Sequence, residues 1–142
     1  MQEKQIPRGK TAIGLFCIGG LLYNLIEICW RGYTHWSMFF LGGFCFEVIG
    51  GIHERFAARR TWFRCTLCAG AVTLLEFLSG CLVNLCWGMN VWDYSHMPFN
   101  IKGQVCLLYS ALWGGLSLIA RPVYRMAKMY LSRDRRVKLI PQ

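Results

Sequence analysis

The chain has 142 residues, of which 55% are hydrophobic and 16% are charged, and its formal net charge is +9. The apolar residues form long blocks, and this pattern favours a membrane protein over a soluble domain. The basic residues flank the blocks, as topology signals and anionic-lipid contacts do, so we expect a lipid bilayer and no nucleic acid as the partner.

Four apolar blocks are long enough, or nearly so, to cross a hydrocarbon core that needs about 20 helical residues. In chain order they cover about residues 11–30, 36–52, 66–88 and 103–120. They predict an all-α bundle of four transmembrane helices in a single domain, 1–142, that ends in a basic tail at 121–142. Bases precede the first block, separate the second from the third and follow the fourth, so both termini are predicted to be cytoplasmic.

Each block carries a stripe of polar or small residues. In the first block Gly20, Asn24, Glu27 and Arg31 recur in steps of three and four, so they share one helix face. The corresponding stripes are Gly43, Glu47, Gly50 and Glu54; Glu76, Gly80, Asn84 and Trp87; and Ser110, Gly114, Ser117 and Arg121. Small residues on one face let helices approach closely in lipid, which is the expected role of the Gly and Ser positions.

The acids in these stripes are costly residues. A charge at bilayer depth costs roughly 2.5–3.5 kcal/mol on insertion scales, so Glu27, Glu47 and Glu76 each need a pathway, a partner or a proton. They are the predicted charge-handling groups, together with Asn24 and Asn84. Three acids at three depths fit the stepwise movement of a cation or proton, and they equally fit three separate solutions to packing.

The connection between the third and fourth blocks is predicted to be a short outer loop, folded and rigid. Its motif residues are Trp92, Asp93, Tyr94, Ser95, Pro98, Asn100 and Gly103. The aromatic residues suit a membrane interface, and the polar ones suit backbone capping and turns, whether or not the loop binds a ligand.

Two further patterns are weaker. The segment from Glu27 to Trp30 parallels that from Asn84 to Trp87, which suggests a parallel repeat of two helical hairpins. Most of the eight cysteines fall in or beside apolar blocks and are interpreted as small buried residues. Cys65 and Cys68 have metal-like or redox-like spacing, but no second pair accompanies them, so we expect no metal and no cofactor.

The loop and the helices beside it resemble a known family. The matching residues are Glu76-x-x-x-Gly80, Trp92-Asp93-Tyr94-Ser95-x-x-Pro98-x-Asn100-x-x-Gly103, Cys106-Leu107 and Trp113-Gly114, within about residues 72–118. This run is similar to the small membrane proteins described as putative ABC-transporter type IV, the CmpB-like permeases. The family's Pro-rich run near the second helix is missing here. The resemblance implies a multi-pass protein of the bacterial inner membrane; it does not imply ATP hydrolysis, and the chain has no Walker-type phosphate loop.

Three function classes follow from these patterns. The first is a transporter or channel component that moves a cation, a proton or a proton-coupled small solute through the intramembrane carboxylates. The second is a non-catalytic accessory or sensor subunit that binds a partner protein. An intramembrane enzyme using Asp93 with Glu76 is the third, but no catalytic constellation supports it, and no catalytic residue is assigned. Four helices enclose little space, so we expect a homo-oligomer or a larger membrane complex.

Overall fold

The structure is a computed structural model that describes residues 8–137. Its elements are α1 (Arg8–Arg31), α2 (Trp36–Arg55), α3 (Thr61–Gly80), a π-helical segment (Cys81–Cys86), β1 (Asn100–Ile101), β2 (Val105–Cys106) and α4 (Leu107–Val137). The prediction of four helices is therefore confirmed. The two short strands pair antiparallel as a hairpin that leads into α4.

Glycines let α1 and α2 pack closely against each other. A Cβ atom added at Gly20 would lie 2.5 Å from the backbone oxygen of Phe39, and one added at Gly43 would lie 2.7 Å from the Phe16 ring. Larger residues would push the helices apart, so these two stripe positions serve helix packing.

The stripe of α4 faces α3. Thr73 donates a hydrogen bond of 2.8 Å to the Ser110 hydroxyl, and Ser117 is completely buried. A Cβ atom at Gly114 would lie in ordinary contact with Ala69. The small and hydroxyl-bearing residues of α4 thus form its contact with α3.

The bounds of α4 differ from the predicted block at both ends. The helix begins at Leu107 instead of Gly103, because Gly103 has a φ of +68° and turns the chain within the hairpin. It continues beyond Ala120 to Val137, through Pro122, where a basic tail was predicted. Residues after the proline include good helix formers, and Lys128 pairs with Glu54 of α2 at 2.7 Å. Residues 138–142 of that predicted tail lie outside the described residues.

Three of the helical segments are long and apolar enough to cross a membrane: Gly9–Arg31, Trp36–Arg55 and Thr61–Cys86. In α4 the uncharged part ends at Ala120, and the charged residues from Arg121 onward lower the mean hydropathy of the helix. Many large apolar side chains point outward, among them Leu21, Phe40 and Leu74, each more than half exposed. Apolar surface on this scale suits lipid better than water, so the chain is a membrane protein.

Candidate functional site

A cavity of about 440 Å³ lies between α1 and α4, and residues of α2 and α3 also line it. Its lining is mostly apolar and aromatic, and its charged side chains are Glu27, Arg31 and Glu76. Four of the lining residues are about half exposed or more: Ile26, Trp30, Leu112 and Ile119. The cavity therefore opens between α1 and α4 onto apolar surface of the bundle.

Glu27 is a paired acid. It forms a salt bridge with Arg31 one helical turn away, and it lies 2.5 Å from the Thr34 hydroxyl. Thr34 is also 3.2 Å from the Asn24 side-chain oxygen, so its single proton can serve only one of the two acceptors at a time. Arg31 donates a second bond, of 3.1 Å, to the Val91 backbone oxygen. The charge of Glu27 is thus balanced, and its partner ties the end of α1 to the loop.

Glu76 is a buried acid with no ion pair among residues 8–137. Its side chain is 3% exposed, and its Oε2 atom is buried with no hydrogen-bond partner among residues 8–137. The Trp113 indole comes near without meeting hydrogen-bond geometry, and its Nε1 is also unpartnered within the same range. Trp113 stacks on Tyr23 of α1 with ring centroids 5.6 Å apart. The acid therefore sits against aromatic walls.

Glu47 does not join the other two acids. It lies outside the lining of the cavity, and its Oε2 accepts a long hydrogen bond of 3.5 Å from the Tyr124 hydroxyl of α4. The structure thus brings Glu27 and Glu76 together and leaves Glu47 in a separate environment.

Asn84 holds the loop through hydrogen bonds. It lies in the π-helical segment, a local widening of the helix that turns its side chain toward the residues that follow in the sequence. Its oxygen accepts a bond of 2.7 Å from the Val91 amide. Its nitrogen donates to the Trp92 backbone oxygen at 3.0 Å and to the Gln104 side chain at 2.8 Å. The side chain joins the two ends of the loop, Val91–Trp92 and Gln104, and it does not line the cavity.

Trp92 and Tyr94 bring the loop to the cavity. Both residues line it, and the Trp92 indole donates a bond of 2.9 Å to the Gln104 backbone oxygen. The Tyr94 ring stacks on Tyr109 of α4 with centroids 4.7 Å apart. Burial, followed by the charge of Glu76, raises the pKa of the Tyr94 hydroxyl above its usual value, so it stays protonated at neutral pH. The loop therefore closes one end of the cavity.

The remaining motif residues hold the loop in shape. Asp93 accepts bonds from the Ser95 hydroxyl and the Ser95 amide, and these lower the pKa of the Asp93 carboxyl. Asn100 donates to the Met97 backbone oxygen at 2.8 Å and accepts from the Gly103 amide at 3.1 Å. Pro98 lies in the turn between Asp93 and Asn100.

Gly103 is required by this arrangement. Its φ is +68°, and a Cβ atom there would lie 2.5 Å from the Ser95 hydroxyl. With these contacts, the polar atoms of Asp93, Ser95 and Asn100 largely bind other atoms of the loop itself.

Sequence reasoning missed several residues at the site. Gln104 is 4% exposed and bonds Asn84, while Tyr23 and Trp113 form the stacked wall beside Glu76. A glutamine inside a predicted apolar block was a usable signal for Gln104. Nothing in the helical spacing distinguishes Tyr23 from an ordinary lipid-facing aromatic residue.

Cysteine chemistry does not contribute to the cavity. Cys65 is half-buried and Cys68 is buried, and both are free thiols. Within residues 8–137 no group of three or more His, Cys, Asp or Glu side chains is arranged to hold a metal ion.

Comparison with known proteins agrees with the sequence resemblance. No solved structure matches the chain. The family described as "Putative ABC-transporter type IV" matches residues 14–140, which is nearly the whole chain. The match includes both acids of the cavity, the loop and all of α4. The chain therefore belongs to the putative ABC-transporter type IV family.

Proposed function

We propose that this protein is a membrane transport component in which Glu76 receives a cation or a proton inside the cavity between α1 and α4. The observation that carries the proposal is the unpaired, buried Oε2 atom of Glu76 beside a cavity of about 440 Å³. A cavity of this volume is within the range of small-ligand sites.

The charge balance of the cavity supports a positively charged occupant. Arg31 neutralises Glu27, so an ionised Glu76 leaves one uncompensated negative charge. An isolated carboxylate in an apolar environment is costly, and a bound cation or a proton removes that cost. Aromatic side chains such as Tyr23 and Trp113 add cation–π attraction for an organic cation.

The proposal includes a topology. The uncharged part of α4, from Leu107 to Ala120, carries exposed Leu108, Leu112 and Ile119, which suits a fourth membrane span. The basic residues at both ends of the chain and between α2 and α3 favour cytoplasmic termini in the bacterial inner membrane. The exposed apolar faces favour a homo-oligomer or a larger complex in which the basic loops contact anionic lipid.

Ion flux in liposomes tests the function. The purified protein is reconstituted and the dissipation of a proton gradient or a monovalent-cation gradient is followed with a fluorescent dye. Glu76→Gln keeps the side-chain volume and removes the charge, so we expect it to insert normally and to reduce flux to the level of empty liposomes. Glu47→Gln is the matched control, because Glu47 lies outside the cavity, and it should retain flux.

Two results contradict the proposal. One is equal flux in wild type, Glu76→Gln and Glu47→Gln, which would remove the role assigned to Glu76. The other is a silent wild-type protein that co-purifies with one defined partner, which instead favours the accessory-subunit alternative.

A further inference from the structure

A second cavity, of about 300 Å³, lies at the end of the bundle opposite the loop. It is formed by the last turns of α2 and the middle of α4. Its polar lining consists of His53, Glu54, Arg121, Tyr124 and Arg125. Its volume is roughly ten times that of one liquid water molecule, so it is large enough for a small polar group with its hydration.

Two buried side chains at this end have polar atoms without a hydrogen-bond partner among residues 8–137. His53 is 3% exposed, and neither ring nitrogen has a hydrogen bond among residues 8–137. Arg64 of α3 is 5% exposed, and its Nε and Nη1 atoms are likewise unpartnered there, while Nη2 donates to Thr61 at 3.1 Å. The Ser117 backbone comes near His53 without meeting hydrogen-bond geometry. Arg64 and Arg121 are close enough for their charges to act on His53.

The nearby acids do not balance these bases. Glu54 lines the cavity, but both of its oxygens are held by Lys128 at 2.7 and 2.8 Å. Glu47 contacts the Tyr124 hydroxyl instead. Within the described part of the chain, neither of the two ion pairs includes Arg64, Arg121 or Arg125.

From these observations we propose that this cavity binds a phosphate group, held by Arg121 and Arg125 with His53 beside it. His53 lines the cavity with both ring nitrogens unpartnered among residues 8–137, and Arg121 and Arg125 place two positive charges in the same lining. A phosphate supplies the opposite charge and the acceptor atoms that such donors bind. Guanidinium groups match phosphate oxygens in geometry. The phosphate belongs either to a lipid headgroup or to a soluble molecule, and the site does not depend on the proposed cation path.

Thermal stability of the detergent-purified protein tests the site. Inorganic phosphate and short-chain phosphatidic acid are titrated separately at constant ionic strength, and the apparent Kd is taken from the rise in Tm. We expect saturable stabilisation by at least one of them. Arg121→Gln should weaken the apparent Kd by about tenfold or more, as expected for the loss of a charge-assisted hydrogen bond. Arg121 is only half-buried, so this variant is expected to fold.

Arg60→Gln is the matched control, because it removes the same charge from an exposed side chain outside the cavity. It should leave the apparent Kd nearly unchanged. Stabilisation by phosphate supports a soluble ligand, and stabilisation by phosphatidic acid alone supports a lipid headgroup. The proposal is overturned if neither probe stabilises the protein saturably, or if Arg60→Gln weakens binding as much as Arg121→Gln.

Discussion

Replacing Asn84 with leucine tests whether one side chain organises the loop. The two residues are similar in size, so Asn84→Leu keeps most of the volume and removes all three hydrogen bonds of the amide. The Val91 amide and the Trp92 and Gln104 oxygens then lose a partner in a buried region. Asn84 itself is 5% exposed, so water does not readily replace it.

The size of the effect follows from the three bonds. Hydrogen bonds in membrane proteins contribute about 0.6 kcal/mol on average and up to about 1.7 kcal/mol each. Three such bonds give about 2–5 kcal/mol, and burial of the former partners raises the effect within this range. Bonds that share one side chain do not add exactly, so a value near the middle of this range is expected.

The free energy of unfolding is measured by SDS titration in mixed micelles, followed by tryptophan fluorescence. Thr73→Val is the comparison, because it removes one buried-face bond, the one between Thr73 and Ser110. We expect it to lose about 0.6–1.7 kcal/mol. If Asn84→Leu destabilises the protein no more than Thr73→Val, Asn84 does not organise the loop.

Three further predictions concern stability and pH. Gly103→Ala should lower the free energy of unfolding by about 1–2 kcal/mol, because a φ of +68° penalises a side chain. Gly70→Ala, on open helix surface, should raise it by about 0.5–1 kcal/mol, and a Gly103→Ala protein more stable than Gly70→Ala would contradict this. Thr34→Val removes a hydrogen bond to Glu27 and should lower the Tm, while Thr66→Val, which loses an exposed bond within its own helix, should not. Equal Tm values for the two variants would contradict this. The pKa of Asp93 is lowered in the folded loop, so its stabilising contribution is complete above the unfolded carboxyl pKa of about 4 and is lost as pH falls through the lower, folded value. Hydrogen exchange of the loop amides, corrected for intrinsic rate, should speed up only in that acidic window. Unchanged protection of these amides in the window would contradict this.

Much of the helical framework was predictable because hydrophobic blocks and spacing report local structure directly. The two stripes that contain Gly20 and Gly43 indicated which faces of α1 and α2 pack, and the contacts of both glycines bear this out. The start of α4 was misplaced because Gly103 and the two residues after it are as compatible with a helix as with a hairpin. Only the positive φ at Gly103 and the pairing of β1 with β2 distinguish the two.

The candidate site was predictable only in part. Burial cost identifies Glu27, Glu47 and Glu76 as expensive residues, but it does not say which of them share a space. That depends on how α1 and α4 separate, which is a property of the tertiary packing. Asn84 shows the same limit, because its partners Val91 and Gln104 lie on both sides of a loop whose path the sequence does not specify.

Chemical modification of Glu76 tests whether its carboxylate binds a cation in the cavity. The reconstituted protein is treated with a membrane-soluble carbodiimide, which reacts with protonated carboxyl groups, and modification is quantified by peptide mass spectrometry with and without the cation that the liposome assay identifies. The cation should slow modification of Glu76, because both compete for one carboxylate in the cavity, and it should leave the rate at Glu47 unchanged. Equal rates at Glu76 with and without the cation, or the same slowing at Glu47, would contradict a cation site in the cavity between α1 and α4.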